Sequence, residues 1–506
     1  MPPQAVTAPA EGSSMRQRQG ASRQVDRRML IDGELAEAEN AQRLPSVNPA
    51  TGKILGFAPD CTVADAHRAV AAARRVFDTS SWSTDMAFRV RCLNQLHASL
   101  VENREEFRRL TVAETGATWR LTEGPYLDAP IGMVRHHGES LKSYPMTEQL
   151  GEVLSMGRTE RRWVEKGPAG VAAIVIGASH PMRMALTALG PALAAGCTVV
   201  LKGVSDTALT TLALGELIAS CTDIPAGVVN VLSSLDPAVD RVLAADRDID
   251  AVHFTGSISA ARRFMAAAGG TARRISCKPE RKSAAIVLDD ADFSVCAAQV
   301  ALMTTSHAGQ GSAPISRLLV PRGRSDEVVT AVGKSLAAVH YGDPVDSRTW
   351  MGPLISDGRR DEVDGMVKRA IAAGATLVTG GQVVRPGYFY EPTMLTGIDP
   401  DSEMVDVCGP VLVVIPYDDD EDAVRIANRS VCGPSGVVFG SYERALAVAR
   451  RVRTGRMSIN GGSHLGPDSP FGYAEEQGVT VAESVVALEE YLERKAFAAI
   501  VPAVES

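Results

Sequence analysis

The chain has 506 residues, 45% of them hydrophobic, and a formal net charge of −8 at pH 7. This length predicts a large core divided among two or three domains. Charges of both signs are mixed along the chain without a basic stripe, so we expect no nucleic-acid partner. No uninterrupted apolar run reaches ~18 residues, so we expect no membrane span.

The eight cysteines stand apart, without CxxC pairs, and most lie in apolar contexts. This usage predicts reduced core residues of a cytoplasmic protein, and neither a disulfide framework nor a metal site. The first 28 residues are rich in Pro, Ala, Ser and Gln and lack the apolar core of a secretory signal, which predicts a disordered tail. Organelle targeting and a later start, at Met15 or Met29, are the alternatives.

The first third of the chain predicts short strands followed by long helices. Asp-Gly and Pro-Ala-Thr-Gly turns divide Met29–Gly56 into short strands. Apolar periodicity predicts helices over Val63–Phe77, Asp85–Glu102 and Arg104–Gly116. The polar segment Leu150–Glu165 interrupts this order and predicts a β-hairpin that leaves the domain.

From Gly167 onwards apolar strands alternate with helices, and a second alternation begins near Ser283. Such βα repeats predict parallel sheets that are covered on both faces, as in doubly wound folds. The C-terminal part predicts a helix over Val481–Arg494 and an apolar strand over Ala496–Val501. This strand and the early hairpin each need a partner, which we expect them to find across a subunit interface.

The stretch Ala301–Val320 contains the clearest candidate for chemistry. A helical run ends near His307, the turn Gly309–Gly311 follows, and Ser312 stands just before a buried strand. A nucleophilic side chain on a glycine-rich bend is a common way to present a reactive atom. A polar turn residue is the simpler interpretation of this stretch taken alone.

Several short motifs follow one another in a fixed order along the chain. They are IDG at Ile31–Gly33, NPATG at Asn48–Gly52, GPALAAGCTVVLK at Gly190–Lys202, GVVNV at Gly227–Val231, FTGS at Phe254–Ser257, KSAAIV at Lys282–Val287, GQ at Gly309–Gln310 with SRLLV behind it, GPV at Gly409–Val411 and PFG at Pro470–Gly472. In this order and spacing they resemble the aldehyde dehydrogenase family, from about Leu30 to Pro502.

The resemblance implies an α/β fold with two doubly wound parallel-sheet domains and a small β oligomerisation arm. It places a cofactor-binding domain at residues 29–147 and 164–280, a catalytic domain at 281–478, and the arm at 148–163 and 479–506. It also implies a homo-oligomer, either a dimer or a tetramer, that binds NAD or NADP and a small aldehyde or acyl ligand.

The family's chemistry uses a cysteine thiolate as nucleophile, a glutamate as base and a side-chain amide in the oxyanion hole. The positions that match these motifs hold Ser312, Lys278 and Ser179. A thiol has a pKa near ~8.5, whereas a serine hydroxyl gives no usable anion at neutral pH without a base. Glu280 and Arg281 replace two glycines of the family motif, and we expect their side chains to crowd the cofactor.

The cofactor side of the expected site departs from the family as well. The turn before Pro237 reads Ser233–Asp236 in place of a glycine-containing turn, and an acid there disfavours a pyrophosphate. The residues that remain for a cofactor are Lys202, Thr255, Gly256, Ser257 and Asp406, the last in place of a glutamate. We therefore expect weak or absent binding of NAD or NADP.

Three hypotheses follow from these substitutions. The first is a family member without normal aldehyde oxidation, with a structural, regulatory or binding role. The second is an NAD(P)-dependent oxidoreductase acting on aldehydes through an altered site, although strand alternation predicts that the thiol of Cys277 faces the core. The third is an ester or thioester hydrolase with Ser312 as nucleophile, neutral Lys278 as base and Ser179 as an oxyanion donor.

Two histidines flank the expected site. His180 and His307 are each better explained as polar wall residues than as acid–base groups. Met182 and Leu186 lie four residues apart on a predicted helix, and we expect both to pack in the core.

Overall fold

The computed structural model describes residues 25–271, 273–279, 282–429, 433, 435–463, 471–472, 481–482 and 485–500. Four predictions lie wholly or largely outside these residues: the disordered tail, the core position of Cys432, the crowding by Glu280 and Arg281, and the PFG motif.

The strands are β1 Met29–Ile31, β2 Glu34–Ala36, β3 Arg43–Asn48, β4 Lys53–Pro59, β5 Thr147–Ser155, β6 Arg158–Pro168, β7 Val171–Val175, β8 Thr198–Gly203, β9 Val229–Ser233, β10 Ala251–Gly256, β11 Arg274–Pro279, β12 Ser283–Val287, β13 Ile315–Pro321, β14 Thr376–Thr379, β15 Val383–Val384, β16 Phe389–Tyr390, β17 Thr393–Thr396, β18 Val411–Tyr417, β19 Ser435–Phe439, β20 Arg456–Ile459, β21 Phe471–Gly472, β22 Val481–Ala482 and β23 Leu492–Ile500. The helices are α1 Val63–Thr79, α2 Met86–Glu102, α3 Arg104–Thr115, α4 Trp119–Thr122, α5 Asp128–Leu141, α6 Pro181–Ala195, α7 Ala208–Cys221, α8 Pro237–Ala245, α9 Ile258–Ala268, α10 Phe293–Thr305, α11 Ser325–Ala337, α12 Asp357–Ala372, α13 Asp420–Arg429 and α14 Tyr442–Ala449.

The first sheet has the strand order β11-β10-β7-β8-β9-β1-β2. Strands β7 to β11 pair in parallel, and the hairpin of β1 and β2 adds an antiparallel edge. The chain runs outward from β7 to β9 and then returns to β10 on the other side of β7. This reversal creates a crevice at the carboxyl ends of β7 and β10, where sheets of this kind bind their ligands.

The second sheet has the strand order β14-β17-β18-β13-β12-β19-β20, with only the edge strand β14 antiparallel. Its central strands are apolar and buried on both faces, as the predicted doubly wound fold requires. The prediction of two α/β sheet domains is confirmed.

A separate antiparallel sheet forms the arm, in the order β23-β6-β5. The rings of Trp163 and Phe497 stack across it with centroids 5.1 Å apart. One prediction about this region was wrong. In the segment expected to be a helix over Val481–Arg494, the described residues form a short strand over Val481–Ala482 and a 3-10 helix over Val485–Tyr491, because strand pairing already begins at Leu492 opposite Pro168.

The terminal strand and the early hairpin, which were each expected to lack a partner in their own chain, pair with each other, because β23 pairs with β6 over nine residues. Their pairing satisfies the inner edge of each element. Pairing across a subunit interface stays a prediction. The outer edges of β5 and β23 have no further strand within the described part of the chain.

Glu114 joins α3 to the start of α7. The carboxylate is fully buried and accepts hydrogen bonds from the Leu209 and Thr210 backbone N–H groups at 2.9 and 2.7 Å, and from the Ser46 hydroxyl at 2.7 Å. It therefore caps a helix whose first turn would otherwise leave these donors unpaired. Burial, only partly offset by these donors, raises the pKa of Glu114 to about 7.

Across the described ranges, no helix combines the length and the apolar character needed to cross a bilayer.

Candidate active site

The turn that carries Ser312 has an unusual backbone. His307 and Ala308 have φ values of 50° and 52°, and Gly309 and Gly311 have φ values of 68° and 79°. Left-handed conformations at non-glycine residues cost energy and persist only where neighbouring contacts enforce them. Ser312 is half-buried at the end of this turn and leads into the buried strand β13. The predicted glycine-rich bend between a helix and a buried strand is confirmed.

Two polar side chains hold the turn in place. The ammonium of Lys282, 2% exposed, donates hydrogen bonds to the carbonyl oxygens of Gly309 and Gly311. The side chain of Gln310 donates to the carbonyl of His307 at 3.0 Å and accepts from the Ile355 N–H at 2.9 Å. Because these contacts fix the backbone immediately before it, Ser312 is presented by a preorganised loop.

The imidazole of His180 lies directly against this turn. A Cβ atom placed on Gly311 would lie 2.3 Å from the His180 Cε1 atom, so only a glycine leaves room for the ring. The His180 Nδ1 atom is 2.8 Å from the Ser179 hydroxyl oxygen. The structure therefore brings together Ser179, His180 and the residue before Ser312.

An aromatic cluster surrounds this imidazole. The Tyr126 ring meets the His180 ring edge-on at 4.2 Å and the His307 ring at 5.2 Å. Burial is the main cause that lowers the pKa of His180 well below its usual value, and the neighbouring His307 lowers it further. Burial also lowers the pKa of His307 to about 4, against a smaller opposing effect of the Ser179 backbone. Both rings are therefore neutral at pH 7.

Lys278 lies on β11 and is 7% exposed, with its Cα opposite that of Thr255 on β10. The neighbouring Cys277 has a fully buried side chain in the core of the first sheet, as strand alternation predicts. Burial raises the pKa of the Cys277 thiol to about 11. The prediction that this thiol faces the core is confirmed, and the role of Lys278 as a base stays a prediction.

The other described thiols also lack thiolate character or lie elsewhere. Burial raises the pKa values of Cys92, Cys197 and Cys296 to about 11 and that of Cys61 to about 12. Cys221 is exposed at the end of α7, on the surface rather than in the core, and Cys408 is half-buried. Since the thiolate is the nucleophilic form, the buried thiols are unreactive at neutral pH.

The residues predicted to receive a cofactor lie at the carboxyl edge of the first sheet. Lys202, at the end of β8, is 2% exposed, and its ammonium donates to the Asp240 carboxylate at 2.8 Å. Asp236 caps α8 by accepting from the Ala238 N–H at 2.8 Å. Two carboxylates therefore lie at this edge of the sheet, one paired with Lys202 and one capping α8, and both disfavour an approaching pyrophosphate.

At the second anion site predicted from the sequence, a hydroxyl rather than a carboxylate caps the helix. Thr255 and Gly256 end β10, and the Ser257 hydroxyl caps α9 by accepting from the Ala260 N–H at 3.3 Å. Asp406 lies in the second sheet domain, half-buried in a 3-10 segment over Glu403–Asp406. Whether these residues contact a cofactor stays a prediction.

Sequence reasoning missed two contacts that shape the site. The role of Lys282 in holding the turn could not be predicted because it lies 27 residues before Gly309, and no local pattern links the two positions. The pairing of Lys202 with Asp240 spans 38 residues, yet it had a signal. Asp240 lies in the first turn of the helix that follows the strand next to that of Lys202, so both side chains belong to one edge of the sheet.

Comparisons with known proteins agree on one family. The model of the aldehyde dehydrogenase family matches residues 36–497. A 3-succinoylsemialdehyde-pyridine dehydrogenase of a Pseudomonas species is 34% identical over 481 residues, covering 93% of this chain and 98% of the relative. An aminoacetaldehyde dehydrogenase of Pseudomonas aeruginosa is 32% identical over 484 residues, with 94% and 96% covered.

Solved structures give the same result. A betaine aldehyde dehydrogenase of Staphylococcus aureus in complex with NAD+ matches with a TM-score of 0.89 and 29% identity, covering 94% of this chain and 96% of that one. An aldehyde dehydrogenase of Pseudomonas syringae, a mutant complexed with NAD+ and octanal, matches with a TM-score of 0.87 and 31% identity over 94% and 97% of the two chains.

Proposed function

Because this chain belongs to the aldehyde dehydrogenase family, we propose that it is a member without NAD(P)-dependent aldehyde oxidation. It would use the inherited cleft in a binding, regulatory or structural role, with a small aldehyde or acyl compound as its ligand. The observation that carries this proposal is Ser312. A hydroxyl stands on the preorganised turn where the resemblance expects a thiol, and the five buried thiols are held protonated.

The base position supports the same proposal. Lys278 carries an amine where the family's water-activating carboxylate is expected. An amine in its ordinary charged form has no lone pair that could accept a proton from water, so in this proposal an acyl group transferred to the site would lack its activated water. Losing the nucleophile and the base together removes both halves of the oxidation chemistry.

The test is the formation of NADH or NADPH by the purified full chain with a series of short and long aliphatic aldehydes. We expect no reduced cofactor from the wild type. Ser312→Cys should restore capture of the aldehyde as a thiohemiacetal without restoring turnover, because Lys278 remains. Steady cofactor reduction by the wild-type protein would refute the proposal and favour the altered oxidoreductase.

A second candidate, ester or thioester hydrolysis, is favoured by the position of His180. In one tautomer the Nδ1–H donates to the Ser179 oxygen, so the Nε2 lone pair can accept a proton and the Ser179 hydroxyl can act as a donor. A base, either His180 or Lys278, would remove the Ser312 proton while the oxygen attacks the acyl carbon. The alcohol or thiol leaves with that proton, and water then releases the acid from the acyl-serine.

Four variants separate this candidate from the first. With a nitrophenyl ester as substrate, Ser312→Ala should abolish turnover, and Ser179→Ala should lower kcat by about tenfold or more through a lost oxyanion donor. Comparison of His180→Gln with Lys278→Met identifies the base, because the pH profile of kcat changes only in the variant that lacks it. Equal turnover by the wild type and by Ser312→Ala would eliminate this candidate.

A further inference from the structure

We propose that Asp240 blocks the cofactor cleft by taking the position next to Lys202 that a ligand's ribose or phosphate would need. The inference deepens the proposed function and rests on it in one respect: a member without oxidation chemistry has no use for a bound dinucleotide. We assign the exclusion of the dinucleotide to Asp240 because its carboxylate contacts the buried ammonium of Lys202.

The two side chains meet at the carboxyl edge of the first sheet, on the β8 and β9 side of its crevice. Lys202 is the penultimate residue of β8, with its Cα opposite that of Val175 on β7 and that of Leu232 on β9. Asp240 comes from the first turn of α8, which follows β9. Dinucleotides bind across the carboxyl ends of such strands, so this ion pair stands within the region a dinucleotide would cover.

The environment makes this pairing hard to displace. Lys202 is 2% exposed, whereas the Asp240 side chain is 31% exposed and reaches the ammonium from the solvent side. A buried ammonium needs a close anion, and Asp240 already supplies one, so a ligand anion at the same place gains less from Lys202 and is repelled by the neighbouring carboxylate. The arriving phosphate would also carry the same sign of charge as Asp240 and Asp236.

Asp236 provides a matched control. It caps the same helix, four residues earlier, and also carries a negative charge, but it contacts the Ala238 N–H of that helix and not Lys202. If only the local negative charge mattered, substitution of either aspartate would strengthen ligand binding equally. If Asp240 acts by contacting the Lys202 ammonium, only substitution of Asp240 will strengthen binding.

The experiment is calorimetric titration of the full chain with ADP-ribose and, separately, with NAD. ADP-ribose has the pyrophosphate and the ribose but no nicotinamide, so its binding does not depend on Ser312 or Lys278. We expect no saturation of the wild type at millimolar ADP-ribose. Asp240→Asn should lower the Kd by about tenfold or more, and Asp236→Asn by less than about threefold.

Further variants keep the result interpretable. Lys202→Met combined with Asp240→Asn should lose the gain, because the cation that receives the ligand is gone. Asp240→Ser offers a second route if the asparagine variant does not fold, as judged by circular dichroism. Equal gains from both aspartate positions, or no gain from either Asp240 variant when folded, would overturn the inference.

The proposed function and this inference can fail separately. Aldehyde oxidation by the wild type, with tighter ADP-ribose binding by Asp240→Asn, would refute only the proposed function. No oxidation and no gain on substitution of Asp240 would refute only the inference. Micromolar binding of ADP-ribose by the wild type would overturn the inference whatever the oxidation assay shows.

Discussion

Lys202 and Lys282 are equally buried, but they contact different kinds of partner. Lys282 donates to two backbone carbonyls and fixes the turn that presents Ser312. Lys202 contacts a carboxylate at the rim of the first sheet. The difference shows which parts of the inherited site still carry out their task. The ammonium of Lys282 is used within the protein to build the turn, whereas the ammonium of Lys202, which remains where the resemblance expects a cofactor, is already paired with Asp240.

The largest expected effect comes from removing each lysine in turn. Lys282→Met leaves two buried carbonyls without a donor, so we expect it to lower the free energy of unfolding by about 3 kcal/mol. Lys202→Met leaves Asp240, which water can reach, so we expect a loss of about 1 kcal/mol. Urea denaturation measures both. Lys334→Met on the exposed face of α11 is the control and should change stability by less than about 0.5 kcal/mol. Equal losses of unfolding free energy in Lys282→Met and Lys202→Met would contradict the difference that we infer between the two lysines.

The buried acid Glu114 extends the comparison to a carboxyl group. With its pKa raised to about 7, the native state holds a proton that the unfolded chain releases near pH ~4.3. The stabilisation that protonated Glu114 provides is therefore fully present below the pKa of the group in the unfolded chain. It is lost as the pH rises through the pKa of the group in the native state. The free energy of unfolding should therefore decrease by about 3 kcal/mol as the pH rises from 5 to 8, and urea denaturation at each pH measures this decrease.

Glu114→Gln, a neutral isostere, should remove this part of the pH dependence. Glu102→Gln, at an exposed position, should leave the slope as in the wild type. If the wild type and the Glu114→Gln variant keep parallel pH profiles, Glu114 is ionised in the native state throughout this range.

A smaller effect tests the contact between His180 and the turn. Gly311→Ala adds a methyl group where the His180 ring lies and also strains a left-handed residue, so we expect a loss of about 2 kcal/mol. Gly52→Ala is the matched control, because Gly52 has a similar φ of 71° and nothing within 4 Å of its added Cβ. Its loss should be about 1 kcal/mol. The excess at Gly311 measures the steric part, and no excess would mean that the ring moves freely.

The smallest effect concerns thiol reactivity, without change in stability. Among the cysteines that the structure describes, only Cys221 and Cys408 are not buried. A chromogenic disulfide reagent should modify these two rapidly and the buried ones only on unfolding. Cys221→Ser and Cys408→Ser should each remove one fast equivalent. Fast labelling of Cys277 in the native protein would reopen the altered oxidoreductase.

The sequence allowed prediction of much of the fold and of the Ser312 turn. Apolar strands in βα repeats and a Gly-Gln-Gly bend are local patterns, and local patterns can be recognised in a sequence without knowledge of tertiary contacts. The segment Val481–Arg494 was misassigned because a helical apolar period overlaps the start of β23, and pairing with β6 outweighs that local preference. The contact of His180 with Gly311 joins residues far apart in sequence, so no local pattern could reveal it.

The arm sheet has a consequence for the synthesis of this protein. Its hairpin is complete at Pro168, but the third strand begins only at Leu492. At ribosomal rates of ~5–20 residues per second, the inner edge of β6 waits on the order of half a minute for its partner. During that interval the hairpin exposes an unpaired edge together with apolar side chains such as Leu154, which remains 75% exposed afterwards. Nascent chains that stop before Leu492 should therefore associate with one another or recruit chaperones.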